Sequence, residues 1–283
     1  MGDALELTLW GVRGSIPTPD AANLGFGGNT SCLSLRHGDA PLLILDGGSG
    51  LRALGNLLSS PANGQIEVNM LFTHFHWDHI QGIPFFAPIF RPDCRIMFHS
   101  TEHPERLKTI LRDQMRTPYF PVRMPAVQAD CRCTQVKDGG IELGGLHIRP
   151  FPLRHPDGAH GYRIEAGCAT IVYATDHEHG DERIDGGLRD SARDADILIY
   201  DAQYTPEEYE QRRGWGHSTW LEATRVARDA GVKQLLLFHH DPLHDDAKLA
   251  EIVRAAQAEF PATIAARERW SVCFEEKSKC ESR

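Results

Sequence analysis

Thr73-His74-Phe75-His76-Trp77-Asp78-His79 follows directly on Val68-Asn69-Met70-Leu71-Phe72, and this junction decides how the chain is read. The apolar run has the length of a buried strand. It delivers the chain into a segment where His74, His76, Asp78 and His79 all carry metal-binding side chains. His74 and His76 stand two apart, so an extended backbone points both to one side, where they can share an ion. Asp78 and His79 come after the chain has turned and can face a second ion nearby. Imidazole suits zinc and other borderline cations, and a carboxylate supplies an anionic oxygen.

Working outward, the same grammar of apolar run and polar stop recurs. Leu5–Trp10 alternates as a strand and enters Gly11-Val12-Arg13-Gly14-Ser15. Residues 31–35 form another alternating strand, and Leu42–Leu45 a buried one that stops at Asp46-Gly47-Gly48. A helix is expected over 51–58. Residues 82–130 are punctuated by prolines, with a helix over 104–115 whose Leu107, Ile110 and Leu111 share a face. Strands are expected at 141–151, 169–174, 197–200 and 235–238. Thr219-Trp220-Leu221-Glu222 has capping-box spacing, and Gly231 is placed to end the helix it opens. A helix over 245–257, a strand over 263–274 and a frayed tail at 275–283 complete the chain. With no internal repeat or low-complexity linker, the expectation is a single α/β (α+β) domain over 1–283, sheets packed together and helices outside.

Composition sets limits on the function. Hydrophobic residues are 41% and charged residues 24% of 283, ordinary values that exclude disorder as the main state. The net charge of −9 excludes a broadly basic surface for coating nucleic acid. No run approaches the roughly 18 apolar residues of a membrane span, and the first residues do not read as a signal peptide. The 7 cysteines are scattered; the one close pair, Cys131 and Cys133, suits neither a zinc knuckle nor a redox motif. Reduced thiols and a cytoplasmic location are expected. Histidine, at 15 residues, is the unusual component.

The His-x-His-x-Asp-His segment resembles the signature of the metallo-β-lactamase superfamily, and the resemblance extends over essentially the whole chain. It implies an αββα sandwich with a dinuclear metal site at its edge. It also implies further ligands at strand ends, where this sequence has His155, Asp176 and His239. The implied assignment gives His74, His76 and His155 to one metal and Asp78, His79 and His239 to the other, with Asp176 bridging. The cofactors are then two divalent ions, zinc first and manganese second. Two ions ~3.5–4 Å apart can share a water and clamp a phosphate ester. The implied reaction is attack by that metal-bridged hydroxide, with Asp78 counted as both ligand and catalytic residue. Asp46 stands where the family has an acid that hydrogen-bonds the metal loop; a plain turn acid is the alternative.

The fold hosts many chemistries, and further segments narrow the choice. Gly214-Trp215-Gly216-His217-Ser218-Thr219 resembles the ribonuclease Z and phosphodiesterase branch, where this histidine lies over the metals and serves the departing oxygen. That makes His217 the second catalytic candidate, against a reading as a helix-cap neighbour. The loop carrying Arg13 resembles the N-terminal loop of the same branch and either faces a phosphate or packs as a structural turn. Leu237-Phe238-His239-His240-Asp241-Pro242 resembles bacterial relatives that hydrolyse cyclic nucleotides. His177, His179 and His240 have no assigned job. Ribonuclease Z grips transfer RNA with a long arm between the positions of His155 and Asp176, and here no room for an arm exists. Phe85, Phe86, Phe90, Tyr119 and Phe120, in the 85–130 insert near the site, form either an aromatic wall for a base or ordinary core.

The sequence therefore reads as a dinuclear zinc phosphodiesterase for a small phosphodiester, with a 3′,5′-cyclic nucleotide as the substrate it suits. Stable nucleic-acid binding and membrane partners are not expected, and a homodimer is compatible with the chain. The alternatives are a carboxyl-ester or thioester hydrolase, an RNA-processing endonuclease of the same fold and, more remotely, a non-catalytic sensor domain.

Overall fold

The structure, a computed structural model, describes residues 4–60, 64–121 and 127–275. The tail expected to fray lies, from residue 276 onward, outside the described residues. The first 7-stranded sheet contains β1 (Leu5–Gly11), β2 (Cys32–His37), β3 (Leu42–Leu45), β4 (Ile66–Leu71), β5 (Cys94–Ser100), β6 (Asp130–Gln135) and β14 (Ser271–Phe274). The second 7-stranded sheet contains β7 (Ile141–Leu143), β8 (Leu146–Leu153), β9 (Ala159–Glu165), β10 (Thr170–Ala174), β11 (Ile197–Asp201), β12 (Gln234–Phe238) and β13 (Thr263–Ala265). Their spatial orders are β14-β1-β2-β3-β4-β5-β6 and β13-β12-β11-β10-β9-β8-β7. Strands β3 to β6 are parallel, as are β10 to β13.

The continuous apolar runs follow from burial on both faces of each sheet. In β12, Leu236 points between the sheets while Leu235 and Leu237 face the helices; in β3, Leu43 and Leu45 point inward while Leu42 and Ile44 point outward. The inter-sheet core joins Leu7, Leu9, Leu35 and Leu45 to Ile148, Ile164, Ile171, Ile199 and Leu236. Outside the first sheet pack α1 (Leu51–Leu58) and α3 (Pro104–Asp113), through Leu51, Leu54, Leu107 and Leu111. Outside the second pack α4 (Glu182–Ala192), α6 (Trp220–Asp229) and α7 (Asp246–Glu259), through Leu188, Ala223, Val226, Leu249 and Ile252. The layers are thus α, β, β, α. Among the described residues, no helix is long and apolar enough to cross a membrane.

Several elements differ from expectation. The 141–151 strand is a hairpin, because Gly144 and Gly145 take left-handed φ of 57° and 80° between β7 and β8. The 263–274 strand is two strands in different sheets: β13 pairs with β12, and β14 crosses back to pair with β1. The 82–130 segment contains β5, an inner strand of the first sheet. Helix α4 forms where the sequence signals none, since Gly186 and Gly187 lie in its interior, where glycine is unfavourable by about 1 kcal/mol. Of the insert aromatics, Phe86 is buried and Phe90 packs on the core, whereas Phe85 is exposed and stands edge-on to Phe120 at 5.6 Å, and Tyr119 is exposed as well.

Candidate metal centre

The C-terminal ends of the parallel strands meet along one edge of the sandwich, where ligand sites of such sheets form. Asp46 follows β3, the 73–79 segment follows β4, Asp176 follows β10, Asp201 ends β11 and His239 follows β12. His155 comes just after the antiparallel β8. His76 caps α2 (Trp77–Ile80), a single turn that carries Asp78 and His79 inward. Asp46, Asp176 and His239 adopt φ of 57°, 57° and 60°. This region is sparsely populated by residues other than glycine, and such strain concentrates at functional sites. In each case it turns the side chain off the strand axis toward the common centre.

The imidazoles are oriented by partners outside the cluster. Buried Asp46 accepts from Thr73 N at 2.9 Å, from the Thr73 hydroxyl at 3.0 Å, from His79 Nδ1 at 2.9 Å and from Tyr173 Oη at 2.9 Å. His74 Nδ1 donates to Thr73 Oγ1 at 3.1 Å, His155 Nδ1 to Gly216 O at 2.8 Å, and His239 Nδ1 to Gln203 Oε1 at 2.8 Å. A carboxylate or carbonyl can only accept, and the Thr73 hydroxyl proton is committed to Asp46, so each ring keeps its proton on Nδ1. The Nε2 lone pairs of His74, His79, His155 and His239 therefore converge.

Two groups of donors result, each with its ligand atoms within 4.8 Å of one another: His74, His76 and His155, and Asp78, His79, Asp176 and His239. Asp176 stands between them. Its Oδ1 faces His74 Nε2 and His155 Nε2, both at 3.7 Å, and its Oδ2 faces His79 Nε2 at 3.1 Å and His239 Nε2 at 3.4 Å. Asp78 Oδ2 lies 3.1 Å from His239 Nε2 and accepts from Ser15 N at 2.7 Å. The Nε2 atoms of His79 and His239 are 3.4 Å apart, and buried His74 Nε2 has no hydrogen-bond partner. Converging lone pairs, two carboxylates and an orphaned imidazole nitrogen fit divalent cations.

The carboxylates call for positive charge at this centre: burial opposes it on His79, but Asp176, Asp78 and Asp46 raise that imidazole well above its usual range, and a divalent ion would take the place of the proton on Nε2. Burial opposes ionisation of Asp78, but His79 and His239 hold its carboxyl well below the usual range. Burial likewise opposes the charge on Asp176, and His239 and His79 outweigh it. Burial and then His79 push His74 down, so it stays neutral.

His217 also reaches this centre. Its Nδ1 donates to Asp201 Oδ2 at 2.8 Å and lies 3.9 Å from Asp176 Oδ1, and its ring stacks on His239 at 4.9 Å. Burial would lower its pKa, but Asp201, with Asp176 and Asp78, raises it to about 9. All eight site residues expected from sequence are thus brought together. Asp201 was missed, although it follows the same rule of an acid closing an apolar strand. Asp46 makes the contact to the 73–79 segment that distinguishes it from a turn acid.

Of the two readings of the Arg13 loop, the geometry favours the structural turn: the guanidinium is fully buried and donates to the carbonyls of Gly27, Asp241 and His244, clamping two loops together. The loop still matters, because a Cβ at Gly14 would lie 2.4 Å from His239 Nδ1 and Ser15 N supports Asp78. His240 donates to Ala266 O, and burial pushes its pKa down to about 3. His177 bonds Arg154 N and Asp185, and His179 bonds Ser218. These three histidines build the walls.

Comparison with known proteins agrees with this geometry. Residues 42–240, more than half of the chain, match the Beta-lactamase superfamily domain, and the chain belongs to that family. It is 24% identical over 317 residues to ribonuclease BN of Cronobacter sakazakii, covering 92% of this chain and 96% of the relative. Among solved structures, the metallo-beta-lactamase fold protein YhfI from Bacillus subtilis superposes with a TM-score of 0.73 at 20% identity, over 96% of this chain and 99% of that one. A diphosphatase from the PhnP family superposes with a TM-score of 0.72 at 21% identity, over 97% and 99%. The fold implies divalent metal ions, and the histidine–aspartate cluster is where they would be held.

Asp46→Asn should leave the sheets folded while opposing an amide group to the Thr73 and His79 donors. Retention of divalent metal should weaken by roughly 10–100-fold, read by competition with a chelator of known affinity. Unchanged affinity would show that Asp46 does not orient the ligands.

Proposed function

We propose that this member of the superfamily is a dinuclear zinc phosphodiesterase acting in the cytoplasm, as one domain over 1–283, on a small phosphodiester such as a 3′,5′-cyclic nucleotide. The observation that carries the reading is the division of Asp176 between two donor groups, one oxygen facing each. His74, His76 and His155 would hold one ion, Asp78, His79 and His239 the other, with Asp176 shared. Two such ions supply Lewis acidity and neutralise phosphate charge.

The protein's own contribution to leaving-group departure falls to His217. With Nδ1 committed to Asp201, Nε2 is the nitrogen left to meet a bound phosphate. Asp201 favours the imidazolium, which can donate a hydrogen bond to a phosphoryl oxygen or a proton to the departing alkoxide. A carboxyl-ester or thioester hydrolase has no comparable need for a charged donor there.

The second reading is RNA processing, favoured by the likeness to ribonuclease BN. Against it, the chain from His155 to Asp176 is taken up by the β9–β10 hairpin, with no inserted arm, and the net charge is −9. Turnover of a cyclic nucleotide should exceed that of a transfer-RNA precursor at physiological salt. Efficient 3′ trimming with an inert cyclic nucleotide would reverse the assignment.

His217 and Asp201 also lie close enough to ligand atoms to join a metal site, and mutation separates the roles. His217→Ala should leave metal content unchanged and lower kcat on the cyclic nucleotide by roughly 10²–10⁴-fold. The loss should shrink on bis-(p-nitrophenyl) phosphate, whose leaving group needs little protonation. Loss of a metal ion, or equal losses on both substrates, would make His217 a ligand or a structural residue.

A further inference from the structure

The turn that presents His217 is held by a carboxylate that the mechanism above does not use. Glu178 lies two residues beyond Asp176 and is 3% exposed. Its Oε1 accepts from Gly214 N at 2.7 Å and Tyr209 Oη at 3.2 Å, and its Oε2 accepts from Gly216 N at 2.9 Å. Burying a carboxylate is unfavourable unless its oxygens are well satisfied, and here two backbone amides of one short turn and a phenol do so.

That turn sets two imidazoles. Gly216 has φ of 89°, and a Cβ there would sit 2.3 Å from His155 Nδ1, so the backbone is pressed against that ring. Gly216 O then accepts the His155 Nδ1 proton at 2.8 Å, and the next residue, His217, donates to Asp201 at 2.8 Å. The 176–180 segment also braces the end of β8 through His177, whose Nδ1 accepts from Arg154 N at 3.2 Å and whose Nε2 donates to Asp185 at 2.9 Å. The segment that carries Asp176 thus fixes the histidines on either side of it.

We propose that Glu178 is a positioning residue that fixes His217 through the amides of Gly214 and Gly216; this rests on the phosphodiesterase reading above. A residue that merely stabilises the fold would affect all substrates alike and add independently to a His217 substitution. A residue acting through His217 would share its substrate dependence, and its effect would vanish once His217 is gone.

Glu178→Gln keeps the shape but offers one oxygen instead of two, so its NH₂ must oppose Gly214 N–H or Gly216 N–H. In the metal-loaded protein, hydrogen exchange of the 214–216 amides should rise about tenfold or more while the sheet strands keep their protection. On a cyclic nucleotide kcat should fall roughly 10–100-fold, and less on bis-(p-nitrophenyl) phosphate. In the His217→Ala background the same substitution should cost less than about threefold. Unchanged exchange, or losses that add in full to those of His217→Ala, would overturn the proposal. Should Glu178→Gln fail to fold, Glu178→Asp, whose shorter reach cannot span both amides, is read by the same criteria. If the wild-type protein cleaves no phosphodiester, the functional reading falls, and hydrogen exchange still decides whether Glu178 holds the turn.

Discussion

The buried carboxylate of Asp46 joins the two sheets and both halves of the centre. It follows β3 of the first sheet, yet accepts from Tyr173 on β10 of the second. It fixes the His79 ring directly, and His74 through the Thr73 hydroxyl, which donates to Asp46 and accepts from His74 Nδ1. One histidine of each donor group therefore takes its orientation from the same acid. Tyr162 Oη adds a second tie between the sheets, donating to Phe72 O at 2.7 Å just before the metal-binding segment. The sandwich could pack without these bonds, but the lone pairs would not converge.

That convergence opposes local preferences. Ser15, Asp46, Asp176 and His239 all hold left-handed backbone conformations around one centre. Each is unfavourable by roughly 1–3 kcal/mol in isolation, and each is over-determined by its surroundings. Asp46 is held by its donors, Asp176 by Thr175 and His79, and His239 by Gln203. The arrangement is rigid where the parallel strands end. His217, proposed to serve the leaving group, sits on a turn outside that rim.

The centre was legible in the sequence because strand ends are local signals. An apolar run stopped by His and Asp marks the 73–79 segment by itself, whereas Asp46, His155, Asp176 and His239, also at strand ends, are assigned only with the help of the family resemblance. Asp201 obeys the same rule and was missed because the Ala-Gln that follows it carries no ligand pattern. Gln203, Tyr173, Ser15 and Glu178 were not legible, since their partners lie on other elements and nothing local announces them. Arg13 shows the limit of local signals: a cation beside glycines leaves an anion site and a structural turn equally open, and only its bonds to carbonyls of two loops favour the turn. In the fold, the Gly144-Gly145 turn and the crossing from β13 to β14 divide stretches whose apolar pattern runs on.

The proposed activity requires one buried aspartate to be shared between two metal ions held by distinct donor sets. Anomalous diffraction from crystals of the protein reconstituted with zinc tests it most directly. Two zinc peaks are expected, one bounded by His74, His76 and His155 and the other by Asp78, His79 and His239, with Asp176 contacting both. A single peak, or a second ion held by Asp201 and His217 in place of Asp78 and His79, would contradict it.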